Sequence, residues 1–306
     1  MGRIRIDYAD IVAKARPHED VKRVGAAIER LSATWREGRD DFGYEDDAAR
    51  AAYLWHLVPA HVCDAARLAA TKLDTLDRER LDVLCLGAGP GSEVLGLVEA
   101  ITAAKASGAL ESLRDVRVRR VDRVARWERE MRALVEAAEP AWRLRCPDVG
   151  TSWTLHLDEP LLVADLLGPA PEAVREAAAQ ADLVLAFNLV SELPPRAEPE
   201  LPAGARDGLV PLLATALGRG AEAWIVDRAG APHVPPRFAA LRDALAATMR
   251  LDVTGPRTRQ SRCGCAFSRR ARQLYRHVHL PTTNQEDGPV RNCRTLWMAL
   301  RKARAS

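Results

Sequence analysis

Glycines at 87, 89 and 91, carboxylates at 122 and 165 and the amide of Asn188 are the groups whose type and spacing could do chemistry. Gly87-Ala88-Gly89-Pro90-Gly91 follows a short apolar run and opens a helix-like tract at Ser92 and Glu93. Without a Cβ, glycine lets the backbone turn tightly and lets a ligand approach the main chain. The dinucleotide fingerprint G-x-G-x-x-G would require glycine at 92, where this chain has Ser92, so the spacing suits a cofactor without a diphosphate. A tight strand-to-helix turn that holds nothing is the plainer reading of such a loop.

Asp122 closes the next strand-like run, where a carboxylate beside a glycine loop can accept hydrogen bonds from both hydroxyls of a ribose. Asp165 closes the third, within reach of an adenine amino group, and Asn188 closes the fourth. Each strand-terminal Asp taken singly is equally well a helix N-cap. Polar residues at three successive strand ends argue for a ligand site.

The elements that must position these groups change in period at residue 81. Before it the pattern is helical: Val21, Val24, Ala27, Ile28, Leu31 and Trp35 fall on one face, and a second helix opens at Asp46 and Asp47 and runs to a restart at Pro59. Residues 1–80 are therefore expected to form an N-terminal helical cap. From 81, strand-like runs at 81–86, 116–121, 161–164, 182–187 and 223–226 alternate with helical tracts at 92–106, 172–179, 206–217 and 236–249. That alternation predicts an α/β, Rossmann-like, mostly parallel sheet with helices on both faces over residues 81–306. Two further strands are expected at 263–267 and 293–300, and 193–202 reads as a Pro-rich surface loop just past a strand end.

At 306 residues with 47% hydrophobic and 28% charged residues, the chain is neither disordered nor a disulfide-dense scaffold. The run Leu183 to Val190 is far short of the ~20 residues a membrane-spanning helix needs. The first residues lack a secretory core. A cytoplasmic location follows by default. The net charge of +3 is segregated: residues 256–306 hold twelve Arg or Lys against Glu286 and Asp287, leaving the remainder near −7. Such a block can meet phosphates, RNA included, or simply solvate a surface.

The sequence resembles the class I methyltransferases that use S-adenosylmethionine, through Leu84-Cys-Leu-Gly-Ala-Gly-Pro-Gly-Ser-Glu93, Val121-Asp122, Ala164-Asp165 and Asp182-Leu-Val-Leu-Ala-Phe-Asn188. A closer resemblance, to bacterial relatives of the mitochondrial small-ribosomal-subunit assembly protein of methyltransferase type, is carried by residues 52–60, 189–194, 227–232 and 263–269. It implies S-adenosylmethionine held by Gly87, Ala88, Gly89, Gly91, Glu93, Asp122, Asp165 and Asn188. It implies an RNA acceptor, ribosomal and met through the 256–306 segment. An iron–sulfur cluster also belongs to that likeness, but only Cys263 and Cys265 match its cysteines. Gly255 to Arg259 stands where others are expected, so neither a complete cluster nor a zinc site is predicted. Cys293 and Cys146, or His277 and His279, could complete a set only if the fold gathered them.

Methyl transfer from a sulfonium is an in-line displacement by an already activated donor, so alignment can supply ~7 to 11 kcal/mol without an acid or base. As candidate catalytic residues, Asn188 could orient an acceptor nitrogen through its carbonyl oxygen and Glu192 could take a proton if burial raised its pKa. Tyr53, Trp55 and His56 suit helix packing, or stacking on a base. Trp127, Trp142, His61 and Cys63 read as structural. Two other readings stand beside an RNA methyltransferase: a small-molecule methyltransferase with the cap as lid, and a ribosome-assembly factor that transfers nothing.

Overall fold

A computed structural model describes residues 6–16, 18, 20–37, 43–147, 153–157, 160–195, 198–262 and 292–303. The first helices are α1 (Tyr8–Ala15), α2 (Val21–Arg36), α3 (Asp47–His56), α4 (Val58–Ala69) and the single turn α5 (Leu73–Leu76). Asp7, Asp20 and Asp46 cap α1, α2 and α3 by accepting N–H groups of the first turn, satisfying donors that a helix start leaves unpaired. The restart at Pro59 is real, and Pro59 sits in the first turn of α4, where its missing N–H costs nothing.

The strands are β1 (Arg80–Leu86), β2 (Asp115–Asp122), β3 (Thr154–Leu157), β4 (Leu162–Val163), β5 (Leu183–Phe187), β6 (Glu222–Arg228), β7 (Leu251–Arg262) and β8 (Asn292–Lys302). They pair in the order β3-β2-β1-β5-β6-β8-β7, with β4 on the far end of β2. The pairs from β3 to β6 are parallel, and β8 runs antiparallel to both β6 and β7. Between the strands lie α6 (Ser92–Ala106), α7 (Trp127–Arg145), α8 (Glu172–Gln180), α9 (Ala203–Asp207), α10 (Leu209–Gly218) and α11 (Val234–Ala246). This is the predicted α/β, Rossmann-like sheet, with helices on both faces.

Strand alternation divides the core in two. Leu81, Val83 and Cys85 of β1, Leu183, Leu185 and Phe187 of β5 and Trp224 and Val226 of β6 join the apolar layer of α1–α4, α6 and α7. Their neighbours Leu84, Leu86, Val184, Ala186, Ala223 and Ile225 face α8, α10 and α11, as the two-residue period of a pleated strand requires. The N-terminal helices thus share one continuous core with the sheet. At Gly96 of α6 the two layers pack without room for a side chain: a Cβ would stand 2.5 Å from Ala65 Cβ and 2.6 Å from the Val62 carbonyl of α4. Glu130 of α7 adds a buried tie, accepting from Arg16 at 2.8 and 2.9 Å and from Arg50 at 3.2 Å.

Several boundaries differ from the sequence expectation. The strand expected at 161–164 is only Leu162–Val163, and the flanking strand it hid is Thr154–Leu157; both are too short for alternation to register. The helix expected at 206–217 breaks at Gly208, where a Cβ would collide with the Leu166 carbonyl. The penultimate strand is Leu251–Arg262. It contains Gly255-Pro256, which reads as a break but sits at a register shift between Thr254 and Arg257 on the sheet edge. The strand expected at 263–267, with Cys263 and Cys265, lies outside the described residues, as do His277 and His279.

Candidate functional site

The chain builds β1, β2 and β3 to one side, then returns to place β5 and β6 on the other side of β1. At such a switch point the loops leaving β1 and β5 diverge and leave a crevice at the strand C-terminal ends. The crevice encloses about 720 Å³, counting its open mouth. Gly87, Gly89, Asp122, Asp165, Asn188 and Glu192 all line it. The structure thereby brings together six of the residues singled out from the sequence.

The floor is set by Asp122, which is nearly buried. Its Oδ2 accepts the Gly89 N–H at 2.8 Å and its Oδ1 accepts the Val124 N–H at 2.9 Å. Burial pushes the carboxyl pKa up, and these main-chain N–H groups pull it back. Gly89 has φ +47°, and a Cβ built on it would meet nothing within 4 Å. The main chain there is bare toward the crevice.

Asp165 is exposed and accepts the Leu167 N–H through Oδ1 at 3.0 Å, with Ala164 and Leu166 beside it on the wall. Asn188 is the one non-glycine residue with positive φ among the described residues, at 53°. Its N–H donates to the Val226 carbonyl at 2.7 Å. A single 3₁₀ turn, Val190–Glu192, follows. Glu192 is half-buried rather than sealed, and its Oε1 lies 3.4 Å from Arg228 Nη2. Arg228 in turn stacks over Trp35 at 4.2 Å from the ring centroid, tying the end of β6 to α2.

Three candidate cofactor residues stand behind the crevice and not on its lining. Ala88 is buried and donates its N–H to Val121. Gly91 has φ +76°, which favours glycine, and a Cβ there would push against the side chain of Met131 from α7. Glu93 is buried beside Ser92 and Cys85, and desolvation raises its carboxyl to about 8.

The N-terminal layer contributes Tyr53, one of the stacking candidates, and Tyr44, which sequence reasoning does not place. Tyr44, Tyr53 and Trp127 line the crevice as a mutually packed group, with ring centroids 5.4 to 5.6 Å apart. His61 meets Tyr53 edge-on at 5.9 Å. Burial, followed by the nearby Glu192 carboxylate, raises the Tyr53 phenol well above its ordinary pKa, so it stands in the crevice as a neutral hydroxyl. Trp55 and His56 are buried packing residues. Trp142 is core, and Trp127 is both core and lining. Pro194 lines the crevice and Leu193 and Leu201 are buried, so the run 193–202 is more than a surface loop.

Among the described residues no three metal-ligating side chains come together, and no helix is long and apolar enough to cross a membrane.

No family model matches the chain, and no curated protein matches it. Among solved structures, the YcgJ protein from Bacillus subtilis covers 79% of this chain and 99% of its own, at 12% identity and TM-score 0.42. The plantazolicin methyltransferase BpumL, in complex with S-adenosylhomocysteine, covers 92% of this chain and 98% of its own, at 10% identity and TM-score 0.41.

Proposed function

We propose that the chain is an S-adenosylmethionine-dependent methyltransferase with an RNA acceptor, in line with its resemblance to bacterial relatives of the mitochondrial small-ribosomal-subunit assembly methyltransferases. The observation that carries the cofactor reading is Asp122. Its carboxylate is fixed by the Gly89 and Val124 N–H groups and lines the crevice, where a carboxylate can accept from a ribose diol. Gly89 leaves room for the methionine end, and Asp165 with Leu166 suits an adenine edge. When bound, S-adenosylmethionine supplies an activated methyl group. The chain has then to orient the acceptor and exclude water. Asn188, held by the Val226 carbonyl, presents its side-chain amide to an acceptor nitrogen, and Glu192 is the nearby carboxylate for a released proton.

Calorimetric titration with S-adenosylmethionine and S-adenosylhomocysteine tests the cofactor. Both should bind the wild-type chain, and Asp122→Ala should weaken both at least tenfold, with no competition from nicotinamide or flavin cofactors. Absence of binding by the wild-type chain would overturn the reading.

Support for an RNA acceptor is the basic 256–306 segment, of which Arg257 and Arg259 stand exposed on edge strand β7 while Arg269, Arg270 and Arg272 lie outside the described residues. Affinity for RNA should fall steeply between low and moderate salt. A second reading, a small-molecule acceptor, is favoured by Tyr44 and Tyr53 roofing the crevice, and predicts little salt dependence. Single-turnover transfer of labelled methyl to isolated small ribosomal subunits separates the RNA methyltransferase from an assembly factor that transfers nothing.

A further inference from the structure

The wall of the crevice that follows β5 is gripped from beneath by two buried charges. Arg237, in the first turn of α11, is fully buried. It donates from Nε to the Glu198 carbonyl at 2.9 Å and from Nη1 to those of Val190 at 2.9 Å and Leu193 at 2.7 Å. Its Nη2 donates to the Pro195 carbonyl at 2.5 Å. Asp227, next to last in β6 and also fully buried, accepts the Ser191 N–H on Oδ2 at 2.7 Å and the Arg228 N–H on Oδ1 at 2.7 Å.

A guanidinium on the carbonyls and a carboxylate on the amide match the two ends of the peptide dipoles. Burying such charges is costly unless they are hydrogen-bonded, and both are. Removing either would strand buried main-chain groups without partners. The segment they hold begins at Asn188 and carries Glu192, Leu193 and Pro194 into the crevice. The donor-side groups, Gly89, Asp122 and Asp165, belong to other loops.

We propose that Arg237 and Asp227 are positioning residues that fix the acceptor-side wall of the crevice, acting through the 190–198 segment and touching no substrate. The consequence for transfer rests on the methyltransferase reading; the grip rests on the hydrogen bonds alone.

The test compares the wild-type chain with Arg237→Met and Arg237→Lys by hydrogen exchange, by S-adenosylhomocysteine titration and by labelled-methyl transfer to small ribosomal subunits. In Arg237→Met, peptides over 189–199 should exchange at least tenfold faster, while those over the glycine loop and Asp122 stay as in wild type. Affinity for S-adenosylhomocysteine should hold within threefold while kcat falls at least tenfold. Lysine keeps the charge with fewer donors, so Arg237→Lys should recover most of the protection and of kcat, leaving about a threefold deficit. Unchanged exchange over 189–199 in folded Arg237→Met, or a loss spread equally over the glycine loop, overturns the proposal. So does a parallel loss of donor affinity. If Arg237→Met does not fold, Arg237→Lys decides: faster exchange confined to 189–199 supports the grip, and exchange identical to wild type overturns it. A wild-type chain that binds no S-adenosylhomocysteine defeats the methyltransferase reading, and the exchange data still decide the grip.

Discussion

Alanine at Gly91 should cost mainly stability and alanine at Gly89 mainly ligand affinity, although the two glycines are two residues apart in one loop. Both adopt left-handed φ, +47° and +76°, which costs an L-residue roughly 1–2 kcal/mol. At Gly91 the new Cβ would also stand 2.8 Å from Met131 Cε and closer still to Sδ. Overpacking of this kind adds ~1–3 kcal/mol. Gly91→Ala should therefore lose roughly 2–5 kcal/mol, a large part of the ~5–15 kcal/mol that holds a typical domain folded. At Gly89 the Cβ meets no protein atom, so the loss is limited to the backbone cost of ~1–2 kcal/mol. That Cβ would instead stand where the bound donor must lie against the main chain. Affinity for S-adenosylhomocysteine should fall at least tenfold, or roughly 1.4 kcal/mol. Urea denaturation gives the stabilities and calorimetry the affinities. Equal destabilisation by the two substitutions, or wild-type affinity in Gly89→Ala, would refute the division of the loop into a packed glycine and a ligand-facing one.

Two further substitutions test the charges buried around the site. The Glu93 carboxyl, raised by burial from 4.5 to about 8, binds its proton more tightly in the folded chain than in the unfolded one. Its favourable contribution is complete below about 4.5 and is lost as pH rises through about 8, a change of a few kcal/mol. Urea midpoints at several pH values should show wild type losing stability relative to Glu93→Gln across that window, and a constant difference would count against it. Glu130→Ala would take from Arg16 and Arg50 the buried one of the two carboxylates they share, leaving them Asp47. The expected cost is roughly 1–3 kcal/mol, with faster hydrogen exchange in α1 and α3; no measurable loss would show that apolar packing alone seats these helices.

Residues close in sequence determined the strand-and-helix grammar of this protein. The apolar runs of β1, β5 and β6 follow from a pleat buried on both faces, and the alternation in β2 from its period of two. The glycine loop needs only three residues without Cβ, and its place after a strand is legible because the apolar run precedes it directly. The polar residues at strand ends are legible for the same reason, since in parallel strands each C-terminal end faces the same edge of the sheet. Distances across the chain decided the rest. Tyr44 joins Trp127, Arg237 reaches back to Val190 and Arg16 finds Glu130 across 114 residues, and no periodicity within one segment encodes such meetings. Burial separated Glu93 and Gly91 from the residues that line the crevice, because residues adjacent on a helix point in different directions. Tertiary packing also set the 12-residue span of β7: its Gly-Pro interruption is tolerated because pairing with β8 resumes beyond a bulge, and that partner lies some 40 residues further along the chain.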